Sequence, residues 1–91
     1  MKKEVEVLKV GNETPVAKLA GAIAEIIRLG KTVELQAIGP KAVSQGVKAV
    51  AVAIGYTAPS GVNLVMRPAF REVEMADGEV KTTIVMVVDE R

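Results

Sequence analysis

Two helical patterns of apolar residues, each set between strand-like segments and closed by glycine, constrain this chain more than any other feature. The first begins at Thr14-Pro15, which reads as an N-cap followed by proline at the first helical position. Val16, Leu19, Ala20, Ile23, Ile26 and Ile27 then recur at helical spacing and make one apolar face, and Gly30 supplies the stop. The second pattern opens at Gly39-Pro40 and is expected to run to about Ile54, with Gly55 ending it.

Strand patterns fill the intervals. The segment from Glu4 to Val10 alternates and then places Leu8 and Val10 opposite Val7, as a strand covered on both faces does. Thr32 to Ile38 follows, with Val33, Leu35 and Ala37 on one side. After the turn signal Ala58-Pro59-Ser60-Gly61, a third strand is expected between Gly61 and Phe70. Pro68 cannot donate to a ladder, which predicts an edge or a bulge there. Val73 and Met75 resume an alternation, Asp77-Gly78 signals a hairpin turn, and Thr82 to Val88 returns as a fourth strand.

The order is therefore βαβαββ. Right-handed crossovers put both helices on one face of the sheet. The expected fold class is α/β in the wide sense, an α+β two-layer sandwich with a four-stranded mixed sheet, and its last two strands form a hairpin that projects. Ninety-one residues bury one modest core, so residues 1–91 are expected to form a single domain.

Composition removes several kinds of chemistry. The chain has no cysteine and no histidine. It lacks a disulfide framework, a thiolate nucleophile, the usual base near neutral pH and the commonest metal ligand. No P-loop is present, because Gly39 and Gly46 are too far apart and no Ser or Thr follows Lys48. Glu72 and Glu74 share a side of a strand but have no polar cluster around them, and read as a solvated edge. No catalytic constellation emerges, so neither an enzyme, a metal, a cofactor nor a small-molecule substrate is expected. No apolar run has the length of roughly 20 residues that a membrane span needs, and the start does not read as a signal peptide, so a cytoplasmic protein is expected.

Charge is the positive clue. The net charge is only +1, but the segments 1–34, 35–71 and 72–91 carry +1, +4 and −4. The middle segment holds Lys41, Lys48, Arg67 and Arg71 and no acid. An anionic partner senses such local excess, not the total. On the second helix Lys41, Ser44, Gln45 and Lys48 share one face. Val43, Val47, Val50 and Ile54 form a larger apolar stripe, expected to face the sheet. Ala42, Gly46, Ala49 and Ala53 form a ridge of small residues open to a close neighbour, either the first helix at Ala17, Gly21 and Ala24 or a second subunit. Aromatic residues are limited to Tyr56 and Phe70, too few for base stacking, so phosphate contacts would dominate any nucleic-acid binding.

The stretches VLKVGNETPVAKLAGAIAEI, ELQAIGPKAVSQGVKAVAVA and YTAPSGVNLVMRPAF resemble the stage V sporulation protein S family over nearly the whole chain. That resemblance implies the Alba-like βαβαββ fold and a cytoplasmic bacterial protein with a nucleic-acid-binding role in spore development. Archaeal Alba proteins are a more distant likeness. Their second helix carries a stretch like G-R-A-I-S-K-A-V, against which Lys41 stands in the arginine place, Ala42, Val43 and Ser44 match, and Gln45 replaces a lysine. Their loop like G-K-K-P-V, whose lysines contact DNA, is here Gly11-Asn12-Glu13-Thr14-Pro15-Val16, without the lysine pair. The hairpin, basic in many Alba proteins, here carries Glu72, Glu74, Asp77 and Glu79 against Arg71 and Lys81.

Two readings follow. One is a regulatory protein that binds DNA or RNA phosphates through Lys41, Lys48, Arg67 and Arg71, with Ser44 and Gln45 as polar contacts. It requires Lys41, Lys48 and Arg67 to lie on one continuous exposed face. The other is a homo-oligomeric interaction or assembly module that uses the small-residue ridge and the acidic hairpin. The two are compatible, since a homodimer doubles a modest cationic patch.

Overall fold

A computed structural model describes residues 3–91. The elements run β1 (Val5–Val10), α1 (Val16–Arg28), β2 (Thr32–Ala37), α2 (Pro40–Thr57), a short 3-10 turn (Ala58–Ser60), β3 (Leu64–Glu74) and β4 (Val80–Glu90). The sheet order is β1-β2-β4-β3; β1 and β2 are parallel, and β4 runs antiparallel to both its neighbours. This is the expected two-layer α+β sandwich.

Each helix boundary has a local cause. Pro15 occupies the cap position of α1 without a side-chain cap, so Thr14 is not the capping residue. Its hydroxyl instead accepts from the Gly11 N–H at 2.8 Å and closes the preceding loop. At the other end Gly30 turns left-handed, its N–H donates to Ile27 and the Lys31 N–H to Ile26, a Schellman closure. The second helix runs past Gly55, whose φ stays negative, and the left-handed turn falls on Gly61. Pro68 lies within β3 with unbroken register opposite Met86. It is tolerated because β3 is an edge strand, and no bulge is needed.

Register assigns the two faces of the sheet. Leu8, Leu35, Met86 and Pro68 lie in one row, and this face meets the helices. Lys9, Gln36, Val85 and Ala69 form a row of the opposite face, which no helix covers. The core lies between sheet and helices, around Ile23, Val33, Leu35, Met86 and Val88.

The second helix is rotated relative to the expectation from sequence. Its buried side is Ala42, Gly46, Ala49, Val50, Ala53 and Thr57, whereas Val47 and Ile54 are 44% and 42% exposed. The ridge of small residues is buried more completely than the valine stripe: Gly46 abuts the sheet at Met86 and Leu35, and α2 packs closely along α1. The cause is close approach: a Cβ on Gly46 would lie 2.5 Å from Met86 Cε and 3.7 Å from Leu35 Cδ1. On α1 only Ala24 of the three small residues is buried, while Ala17 and Gly21 are exposed.

Candidate nucleic-acid interface

The six sequence-predicted residues divide between the two faces of the sandwich. Lys41, Ser44, Gln45 and Lys48 belong to α2, on the helical layer. Arg67 and Arg71 stand opposite Val87 and Thr83 on the uncovered face of the sheet. The fold therefore does not unite Lys41, Lys48 and Arg67 in one face.

On the helical layer Lys41, Ser44 and Lys48 are exposed, and their spacing of three and four residues keeps them on one side over two turns. Lys41 Nζ lies 3.2 Å from Glu13 Oε1, whose side chain is 90% exposed. A pair that open to water contributes little and opens readily to a competing anion. Gln45 has a different task. Its Nε2 donates to the Thr14 carbonyl at 2.9 Å and ties α2 to the loop that carries Glu13.

On the uncovered face Arg71 Nη2 meets Glu34 Oε1 at 2.5 Å. By register this pair crosses β4 over Val85, which is buried although it lies on a face without a helix. Glu34 is 11% exposed as a side chain and also accepts from Gln36 Nε2. Arg71 is thus committed to holding a nearly buried carboxylate, whose unpaired burial would be costly. The other acid of this face, Asp89, pairs with Lys3 Nζ at 3.0 Å. Burial alone would raise its pKa. The Lys3 ammonium and the Glu90 N–H outweigh that and hold it below the ordinary carboxylate value. With both acids engaged, Lys9, Arg67 and Lys81 are left without an acid within 4.0 Å among the described residues. Sequence reading overlooked Lys9 and Lys81 because they lie outside the acid-free segment; strand parity, which puts odd-numbered positions of β1, β3 and β4 on this face, was the available signal.

Beside Lys41 the helical layer is apolar. Val43, Phe70 and Ile84 line a shallow hollow of about 520 Å³ together with Gly39 and Pro40. Phe70 is 79% exposed and belongs to a stretch of β3 that is exposed from Arg67 to Glu72. Among the described residues no cluster of three or more acidic side chains suited to a metal ion occurs, and no helix is long and apolar enough to cross a membrane.

The family model of Stage V sporulation protein S matches residues 6–91. The chain belongs to the Stage V sporulation protein S family. Among solved structures it is similar to Alba from Thermoplasma volcanium, with a TM-score of 0.61 and 14% identity over 92% of this chain and 99% of that one. That likeness places the chain in the Alba-like fold.

Proposed function

We propose that this member of the Stage V sporulation protein S family is a nucleic-acid-binding regulatory protein of spore development, and that it contacts phosphates through Lys41, Ser44 and Lys48. The observation that carries the reading is their common exposure on one side of α2, with Lys41 held only by a solvent-exposed acid. Lys41 and Lys48 are separated by about 10 Å of helix rise. Each lysine offers a charge-assisted contact to a phosphate oxygen, and the Ser44 hydroxyl adds a neutral donor between them. Gln45 positions the neighbouring loop and makes no contact of its own. Arg71 keeps its place on Glu34, and Arg67 serves the opposite face.

Two lysines give weak binding. The bare apolar hollow at Val43, Phe70 and Ile84, next to Lys41, supports self-association as the remedy: a homodimer formed there carries two copies of the lysine face. The experiment is binding of labelled duplex DNA and of RNA to the intact protein and to two charge-reversed variants. K41E/K48E is expected to lose binding, and R67E to retain it. F70D is expected to shift the protein to monomer and weaken binding. Absence of binding to DNA and RNA of any shape at low salt overturns the proposal. An F70-dependent oligomer that binds no nucleic acid would favour instead a purely structural assembly module, for which the acidic hairpin is the motivating observation.

A further inference from the structure

The parallel strands β1 and β2 end together, and β3 and β4 continue past them as an arm, because the rows beyond Ala37 and Ile84 have no β2 partner. Between these strand ends and the arm lies a cleft of about 580 Å³. Its sheet wall includes Lys9, Gln36 and Ile38, and its arm wall includes Val73, Glu74 and Met75. The volume suits a small ligand.

We propose that this cleft binds a small organic anion, with a carboxylate or phosphate head on Lys9 and an apolar body between Ile38, Val73 and Met75. Four observations support this. Lys9, the cation of the cleft lining, has no acid within 4.0 Å among the described residues, so its charge is not spent in an ion pair. Glu34, two residues from Gln36 on the same face, is occupied by Arg71 and Gln36 and cannot neutralise Lys9. Gln36 spends an N–H on Glu34, so its side-chain oxygen is left to accept from a hydroxyl on the ligand. Ile38 is exposed on the sheet wall, where an apolar body would take it out of water. Glu74, the acid of the lining, stands on the arm wall, which fixes the polarity: head to the sheet, body under the arm.

The site is separate from the α2 face and does not depend on nucleic-acid binding. Octanoate, octanol and octylammonium serve as probes in amide chemical-shift titrations of the full chain. Octanoate is expected to shift amides of residues 9–12, 36–38 and 73–76 saturably. K9Q should weaken octanoate about tenfold, the loss of one charge-assisted contact. M75E, a second variant on the arm, should weaken it as well, and K41E/K48E should leave it unchanged. Failure of octanoate to saturate those amides overturns the site. Equal affinity for octanol, or tighter binding of octylammonium, overturns the anionic class. An equal loss in K41E/K48E overturns its independence from the α2 face.

Discussion

Gly46 and Gly21 are both helical glycines, and they answer opposite demands. A methyl group on Gly46 would press on Met86, which is itself buried, whereas one on Gly21 meets nothing within 4 Å. Alanine is favoured over glycine in a helix by about 1 kcal/mol. At Gly46 overpacking costs about 1–3 kcal/mol and reverses that gain, softened by the flexibility of the methionine end. In urea unfolding, G21A is expected to raise stability by about 0.5–1 kcal/mol and G46A to lower it by about 1 kcal/mol. The small-residue ridge was visible in sequence; which side of the helix it would turn to the sheet was not. Hydropathy ranked the valines above the alanines, but the distance of approach, set by Met86 and Leu35, decided the matter. At the same scale, Asp89 has a folded pKa below its unfolded one. Its contribution to stability is present above the unfolded value, about pH 4, and is lost as pH falls through the lower folded value. Stability curves of the protein and of D89N should therefore converge on the acid side and separate above about pH 4. A constant separation down to the lowest pH would contradict the pairing with Lys3.

At the scale of elements, α2 presents valines of equal size in unlike surroundings. Val50 is buried and Val47 is not. V50A should cost about 1–2.5 kcal/mol, while V47A should stay within about 0.5 kcal/mol by the same unfolding measurement. Equal costs would mean that the valine stripe faces the sheet after all. Element order and type were legible in the sequence, because periodicity, Gly30, Pro68 and Asp77-Gly78 are local signals. The end of α2 was not legible. A glycine permits a left-handed turn without requiring one, and Gly61 supplied it. Thr14 likewise resembled a cap but was drawn into the Gly11 loop, since the adjoining Pro15 holds the cap position.

For the whole molecule, charge belongs to faces and not to segments. The acid-free stretch of sequence contributes to both layers: Lys41 and Lys48 to the helices, Arg67 and Arg71 to the uncovered sheet. Arg71 is spent on Glu34, an acid outside that stretch which a contact across the sheet brings to it. The charge window overstated the reach of the α2 group, since Arg67 and Arg71 fall on the other face. It also left out Lys9 and Lys81, which strand parity groups within their own strands and register then brings to one side of the sheet. The proposed nucleic-acid role rests on the exposed face of Lys41, Ser44 and Lys48, and the proposed self-association on the bare hollow beside it.

The salt dependence of nucleic-acid affinity tests that claim most directly. Each phosphate neutralised contributes about −0.9 to the slope of log K against log salt for duplex DNA. Two lysines predict a slope near −1.8 for a monomer, and a dimer with both faces engaged predicts about −3.6. In the dimer, K41Q/K48Q should bring the slope close to zero, and R67Q should leave it in place. A steep slope that survives K41Q/K48Q and falls with R67Q would move the interface to the sheet and contradict the account.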